Sequence, residues 1–209
     1  MKTRAATAIL LSLAVSHVGA AETVRVKGAL PDALVHGETH DALANRIAQA
    51  VVPIDEIILP ACGERAFELG KAFSVIVNDP LLVQLAQGGG VWHVPVDGTG
   101  CGPSRRHNVY LFDRGNAPIK IIATLPGDTA ASLKLQLDAI DIVGPAANAY
   151  GPKDCPARPV VIATKIGDKP NGAAPWSEVW TFRSCAVDTR FRVSFTPDAT
   201  GVGISARRE

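Results

Sequence analysis

The residues best able to do chemistry lie together at 97–108, where the chain reads DGTGCGPSRRHN. A catalytic cysteine needs its thiolate form, which a nearby histidine or a helix N-terminus supplies. Cys101 lies among glycines and a proline, between two strand-like runs, so no helix begins beside it. His107 follows six residues later, whereas cysteine peptidases take their histidine from a distant part of the chain. The stretch therefore predicts a tight turn held by a disulfide.

The chain has four cysteines, Cys62, Cys101, Cys155 and Cys185. An even number in an exported chain indicates disulfides, because the compartments outside the cytoplasm are oxidising. Four cysteines allow three connectivities, and the sequence alone does not choose among them. We favour Cys62–Cys101 and Cys155–Cys185, which close the shorter loops in sequence order. Chain entropy predicts a stabilisation of about 3–4 kcal/mol from each bond.

Histidines suggest a second chemistry, a metal site. HGETH at 36–40 comes close to the H-E-x-x-H pattern of zinc peptidases, but its glutamate is one place late and its glycine weakens a helix. His36 and His40 would also need a distant third ligand, such as His93 or His107. The cysteines lack the C-x2-C spacing of a structural zinc site. We assign no metal and no other cofactor, and keep His93 and His107 as weak metal candidates.

Trp176 and Trp180 suggest glycan binding. On a strand, residues four apart point to one side at a distance of about 13 Å, and two exposed indoles could then stack on sugar rings. The alternative is a place in the core, facing Phe191, Val193 and Phe195 of the next strand. Aromatic residues make up only 5% of the chain, so few others can fill the interior. We therefore favour the core for both indoles.

Other catalytic patterns are weak. The sequence has no G-x-S-x-G elbow, no P-loop and no G-x-G-x-x-G stretch. The GGG at 88–90 follows a helix and precedes a strand, which is the reverse of a phosphate-binding loop. Acidic neighbours such as Asp55 and Glu56 are expected by chance in a chain with 20 acids. We assign no catalytic residue.

The N-terminus has the pattern of a secretory signal peptide over residues 1–20. Lys2 and Arg4 precede an apolar run, and small residues follow at 19–21. The apolar run is shorter than the roughly 20 residues that span a bilayer. No cysteine lies near the cleavage site to be lipidated. We expect a bacterial protein that is exported to the periplasm or secreted, with residues 21–209 as one domain.

Charge and length limit the classes of partner. The signal segment takes two of the 21 basic residues, which leaves 19 against 20 acidic residues. This balance gives no electrostatic attraction for nucleic acid, and we expect no integral membrane segment after signal removal. About 190 residues are enough to bury an ordinary core.

Apolar periodicity and end signals predict three helices. The first begins with a cap at Thr39 or Asp41 and ends at Pro53, followed by a short strand at 54–59. The second has Asp79 as its cap and stops at 88. The third has a cap at Asp128 or Thr129 and ends at the glycine and proline of 144–145.

Alternating apolar residues predict the strands. Proline at position 95 suggests an edge strand or a bulge. The segment 64–77 is ambiguous: its start could be helix, whereas FSVIV at 73–77 is better as a strand. Further strands are expected at 23–27, 91–96, 107–112, 118–124, 159–166, 176–185, 189–196 and 202–206.

These elements predict an α+β fold: a mainly antiparallel sheet with two or three short helices, stabilised by two disulfides. We expect a non-catalytic binding protein whose partner is an envelope protein, a secreted protein or a glycan. The alternative is an exported metal-dependent or cysteine hydrolase that uses residues around the 91–112 hairpin. A structural component that assembles through its final hairpin ranks lower, because Arg190 and Arg192 defend that strand against edge pairing.

Overall fold

The computed structural model describes residues 23–35, 37–115 and 117–209. The expected signal peptide and His36 lie outside them. The described chain forms three α-helices, a 3-10 turn at Asp32–Leu34 and ten strands. The helices are α1 (His40–Ile58), α2 (Pro80–Ala86) and α3 (Leu133–Tyr150). The strands are β1 (Thr23–Lys27), β2 (Glu64–Leu69), β3 (Phe73–Val75), β4 (Val91–Thr99), β5 (Arg105–Arg114), β6 (Ala117–Ala123), β7 (Val160–Asp168), β8 (Trp176–Ser184), β9 (Val187–Asp198) and β10 (Gly201–Arg208).

The strands form two sheets. The first has the order β1-β2-β4-β5-β6, with the short β3 also paired to β4, and the second has the order β10-β9-β8-β7. Strand β1 pairs with β2 in parallel, and the other strand pairs are antiparallel. The expected α+β class, with a mainly antiparallel arrangement, three helices and two disulfides, is confirmed.

The two sheets belong to two halves with one topology. In the first half (residues 23–123) β1 precedes α1 and runs parallel to β2, and β4, β5 and β6 continue the sheet in antiparallel order. Strand β3 and helix α2, which lie between β2 and β4 in the chain, are additional elements of this half. In the second half (133–208) a helix is again followed by four antiparallel strands. Gly127, just before that helix, forms a parallel bridge with Thr164 of β7, at the place that β1 occupies beside β2. The sequence shows no repeat of fixed period, so the repetition is one of structure.

Each half has its own core. Helix α1 packs on β1, β5 and β6, and helix α3 packs on β8, β9 and β10. Ile47 and Val51 of α1 meet Val109 and Leu111 of β5 in the first core. The core of the second half is more aromatic, and its fully or almost fully buried members include Trp180, Phe182, Phe191 and Phe195.

Both long helices continue through a proline at which the sequence predicted an end. The caps at Thr39 and Asp79 are confirmed by hydrogen bonds from Ala42 N and Leu82 N. The end at Pro53 and the strand at 54–59 are wrong, because α1 runs to Ile58. Helix α3 likewise passes 144–145, and its cap is Ser132, four or three residues later than expected.

An exposed position explains why the helices tolerate these prolines. A proline cannot donate to the carbonyl four residues earlier. Pro53 and Pro145 are exposed, and so are Gln49 and Asp141, whose carbonyls lose that donor. Water can therefore replace the missing hydrogen bond in each helix.

Strand β4 also departs from expectation. It lies inside its sheet, so the prediction of an edge or bulged strand at Pro95 is wrong. One side of β4 pairs with β3 over Val91–His93 and with β2 over Val96–Thr99. Pro95 falls in the gap between these two short partners, where no ladder bond needs its missing N–H. Its carbonyl accepts a hydrogen bond from Gly70 N at 2.7 Å.

The link between the halves (residues 124–132) is hydrogen-bonded to both sheets. Asn108 Nδ2 of β5 donates to the carbonyls of Leu125 and Gly127 at 2.8 and 2.9 Å. On the other side Thr164 N donates to Pro126 O at 2.7 Å. Gly127 has a φ of 98°, and a Cβ there would collide with Thr164 O, so glycine is required. The link therefore holds the two sheets together as a short shared strand would.

Candidate functional site

All four cysteines are paired, as Cys62–Cys101 and Cys155–Cys185. The favoured connectivity is confirmed, and the Cα atoms lie 5.7 and 6.0 Å apart. In the first half the bond joins the segment after α1 to the turn between β4 and β5. In the second half it joins the segment after α3 to the turn between β8 and β9. The sulfur of Cys101 is therefore not free to act as a nucleophile while the bond is intact.

The first turn is also fixed by a buried ionic cluster around Asp55 of α1. Asp55 is fully buried, and Arg65 of β2 donates to it through Nε at 3.1 Å. Arg105 of β5 donates through Nε and Nη2 at 2.8 and 3.2 Å, and His107 Nε2 lies 3.1 Å from Oδ1. Burial alone would raise the pKa of Asp55. The hydrogen bonds from His107 and Arg105 outweigh it and hold the pKa below its ordinary value.

The same arginines extend from the cluster to the neighbouring loops. Arg105 Nη1 donates to the carbonyls of Cys101 and Pro103 at 2.7 and 3.0 Å. Arg65 donates to the carbonyls of Leu59 and Cys62 at 2.8 and 2.7 Å, just after the helix ends. The turn, the end of α1 and the start of β2 are thus one connected unit.

His93 and His107 lie on opposite faces of the β4–β5 hairpin. The register pairs His93 with Tyr110 and His107 with Val96. The two histidines are thus three positions apart along the hairpin, and an odd separation puts their side chains on opposite faces. His107 is fully buried against α1, where Asp55 accepts a hydrogen bond from its Nε2. The hairpin does form as expected, but it does not bring the two imidazoles together.

His93 faces a cleft between the halves, of about 540 Å³, which Arg106, Lys165 and Lys169 also line. Its Nε2 lies 3.0 Å from Asn108 Oδ1. Because the Asn108 amide nitrogen donates to two carbonyls of the link, Oδ1 must accept, and His93 Nε2 carries the proton. Desolvation lowers the pKa of His93. In the neutral ring with its proton on Nε2, Nδ1 is the acceptor.

No group of three or more His, Cys, Asp or Glu side chains within residues 23–35, 37–115 and 117–209 could hold a metal ion. His40 begins α1, and its Nε2 lies 3.0 Å from Asp32 Oδ1 at the surface. His93 and His107, the weak metal candidates, are held by Asn108 and Asp55.

Trp176 and Trp180 lie in the core of the second half. Trp180 is fully buried, and Trp176 exposes 9% of its surface and stacks on Phe195 at a centroid distance of 4.9 Å. Stacking on a sugar needs an open ring face, so burial removes the observation that suggested glycan binding. Phe191 and Phe195 of β9 face Trp180 and Trp176 in register, as the core interpretation requires.

Glu178 of β8 is a buried carboxylate that sequence reasoning missed. It accepts hydrogen bonds from the Thr129 hydroxyl, from the backbone N–H groups of Ala130 and Ala131, and from Trp180 Nε1. The four donors saturate it, and it ties the link to the second sheet. The sequence carried one signal for this role: a glutamate on the apolar face of a strand needs partners.

Like the first disulfide turn, the second is tied to the C-terminal end of α1. Arg183 of β8 donates through Nη1 to the carbonyls of Ile57 and Ile58 at 2.8 and 3.0 Å. A cation there stabilises the last carbonyls of a helix. Its other nitrogens bind Asp188 across the hairpin at 2.7 and 2.8 Å. Arg183 thus fixes the second turn to the helix that already holds the first.

We call the surface formed by Ile57, residues 102–104 and residues 185–187 the hairpin end. Both loops are exposed, and Ile57 and Val187 expose 37% and 46% of their surface. Asp97–Arg106 and Arg183–Asp188 form equivalent cross-strand ion pairs behind the turns, with the charges exchanged. The hairpin end therefore presents both apolar and polar residues on loops that disulfides and ion pairs hold in place.

Comparison with protein-family models, with curated proteins and with solved structures finds no match for this chain. Within the described residues, the helices fall short of the length and apolar character needed to cross a membrane.

Proposed function

We propose that this chain is an exported, non-catalytic binding protein that recognises a protein of the envelope or of the secreted fraction through the hairpin end. Export is inferred from the signal-like residues 1–20 and from two disulfides, which are typical of oxidising compartments. The proposal does not include a glycan, because the indoles that suggested one are buried.

The observation that carries the proposal is that both disulfide-held turns are fixed to the last turn of α1. Arg105 fixes one turn to Asp55 of that helix, and Arg183 fixes the other to its last carbonyls. Loops held in one conformation lose little entropy when they bind, so more of the contact energy is kept as affinity. The exposed Ile57 and Val187 provide the apolar contacts that interface centres favour.

Photo-crosslinking in the producing bacterium tests this proposal. A photoreactive residue is placed at Ser104 or at Val187, one in each turn, and as controls at Lys120 of β6 or Thr196 of β9, which are exposed elsewhere. We expect one discrete adduct of the same mass from both turns and none from the controls. No discrete adduct from either turn, or the same adducts from all four positions, would overturn the proposal.

The hydrolase alternative is tested separately with His93, the histidine that faces an open cleft. The purified mature protein is assayed against peptide, ester and glycoside substrates, with and without chelator, beside a His93→Ala variant. We expect no turnover in either protein. Turnover that disappears in His93→Ala, with unchanged thermal stability, would establish the hydrolase and refute a non-catalytic role.

A further inference from the structure

An apolar groove lies between the halves, alongside α3. Its volume is about 280 Å³, close to the lower end of small-molecule sites. Its lining comes from both halves, with Ile54 of α1 and Ile122 of β6 on one side and Leu133 and Leu137 of α3 and Phe182 of β8 on the other. A ligand in this groove would touch elements of both sheets.

The polar side chains of the groove, Gln136 and Thr124, are already engaged within the protein. Gln136 Nε2 donates to Ala131 O at 2.9 Å, and Oε1 accepts from Leu125 N at 3.4 Å. Thr124 Oγ1 donates to Asn108 O at 3.2 Å. A polar group placed in the groove would lose its water without gaining a matching set of hydrogen bonds, so the part of a ligand that enters must be apolar.

The mouth of the groove has a different character. The adjoining cavity, of about 370 Å³, shares Ile140, Gly144 and Pro159 with the groove and adds polar residues, among them Asp141 and Arg158. Arg158 is exposed, and in the described part of the chain it forms no ion pair. A guanidinium without an acidic partner favours an anionic group at the mouth.

We propose that this groove binds a single-chain anionic amphiphile, with its alkyl chain between the halves and its head group at Arg158. At about 30 Å³ for each water-sized group, the groove holds on the order of nine or ten methylene groups. Leu137 and Ile140 line it and are 41% and 36% exposed, and a bound chain would cover that apolar surface. The lining of the groove shares no residue with the hairpin end, so this proposal does not depend on the proposed function.

Chain length gives the first test. Hexanoate, octanoate, decanoate and dodecanoate are titrated into the mature protein by calorimetry, each below its critical micelle concentration. We expect affinity to rise roughly three- to fourfold per buried methylene and to level off near decanoate, when the groove is full. No measurable binding, or a rise that continues unchanged to dodecanoate, would overturn the proposal.

Gly144→Leu tests the place of binding. A Cβ at Gly144 meets no atom within 4 Å, so a leucine can fill the groove without displacing its walls. We expect a loss of decanoate affinity of roughly tenfold or more, since several methylene groups are displaced. Ala149→Leu introduces the same side chain at an exposed position of α3 and should leave affinity unchanged. Unchanged affinity in a folded Gly144→Leu protein would refute this site.

Charge at the mouth gives the second test. Arg158→Gln should weaken decanoate binding roughly three- to tenfold and leave decanol binding unchanged, because an exposed ion pair contributes modestly. Lys153→Gln, an exposed cation of the same loop, is the matched control. Asp141→Asn should strengthen decanoate binding by removing a like charge. Equal effects of Arg158→Gln on decanoate and decanol would overturn the assignment of the head group.

Discussion

Asp55 is the only carboxylate of the buried ionic cluster described for the first half. It is the buried counter-ion of Arg65 and Arg105, and it also binds His107. A buried ion pair adds little compared with an apolar core, but loss of one partner leaves an uncompensated charge. The stability of the first half therefore requires a carboxylate at position 55.

We predict that Asp55→Asn lowers the free energy of unfolding by about 3–5 kcal/mol. The reason is that two buried arginines lose their anion while the side-chain volume is kept. Urea unfolding of the mature, oxidised protein gives the value. Glu56→Gln, the exposed neighbour on the same helix, should change it by less than about 0.5 kcal/mol. Equal effects of the two changes would show that the cluster is not stabilising.

The same carboxylate predicts an acid dependence. Because the folded-state pKa of Asp55 lies below its ordinary value of 3.8, its contribution to stability is fully present above that pH. The contribution is lost as the pH falls from 3.8 through the lowered pKa. We expect stability to decline over this window in the wild-type protein and to decline less steeply in Asp55→Asn, as followed by circular dichroism. Parallel pH curves for the two proteins would contradict this prediction.

Glu178 has the corresponding role in the second half, where it joins the link to the sheet. Glu178→Gln replaces one accepting oxygen with an NH2 group that would point at other donors. We predict that it lowers the free energy of unfolding by about 2–4 kcal/mol. Indole emission should shift as well, because Trp180 Nε1 donates to this carboxylate. Glu68→Gln, at an exposed surface pair, is the control. A change in stability without any change in emission would argue against the bond to Trp180.

Sequence reasoning could not find the Asp55 cluster. The cluster joins residues 10, 50 and 52 positions apart on a helix and two strands, so its existence depends on tertiary contacts. By contrast, the pairing of the cysteines that was favoured from loop length is the one in the structure, and four cysteines allow only three connectivities. Residue types and spacing therefore predicted the disulfides, whereas the ionic cluster became visible only in the folded structure.

At the scale of elements, the two long helices contain the clearest departure from local propensity. Pro53 and Pro145 each lie five residues before the last residue of their helix. Local rules predicted an end at both places, because an interior proline costs a helix about 3 kcal/mol. Tertiary contacts beyond the proline, from Asp55 in α1 and from Ala147 in α3, continue the helices.

We predict that Pro53→Ala and Pro145→Ala each raise the free energy of unfolding by roughly 1 kcal/mol or more, because the missing backbone hydrogen bond is restored. Thermal unfolding measures the change. Pro118→Ala, at an exposed position of β6, should have little effect. A loss of stability in both helix variants would mean that the prolines set a bend that packing requires.

The strands and caps of the fold followed from sequence more closely than the helix ends. Alternation at 91–112 and 176–196 predicted both central hairpins, because each has one face in a core. Pro95 wrongly predicted that β4 is an edge or bulged strand. In the structure β2 and β3 pair with the same side of β4, and Pro95 lies in the unpaired gap between them. The register of a strand and the identity of its neighbouring strands depend on distant segments of the chain, so the local apolar pattern does not predict them.

For the whole molecule, the two halves are predicted to differ in how they lose structure. The disulfides span 39 and 30 residues, and loss of either should cost about 4 kcal/mol through chain entropy. In Cys155→Ser with Cys185→Ser, hydrogen exchange should rise in β7–β10 more than in β2–β6. The Cys62→Ser, Cys101→Ser protein should show the reverse. A uniform rise in both proteins would show that the halves unfold as one unit.

The two halves share one strand order although their sequences show no repeat. What the halves still share is position: a proline late in the helix and a disulfide from the segment after the helix to the second turn. Composition does not reveal this, because the first core is mostly aliphatic and the second is aromatic. Core chemistry can change as long as the volume is filled.

The link between the halves has a consequence for resistance to proteolysis. Proteases bind their substrates as extended, unpaired backbone, and segments between domains are their usual targets. Here the backbone of Pro126, Gly127 and Asp128 is already bonded to the two sheets. A protease would have to separate the two sheets before it could cut the link, so we expect the folded protein to resist cleavage between its halves.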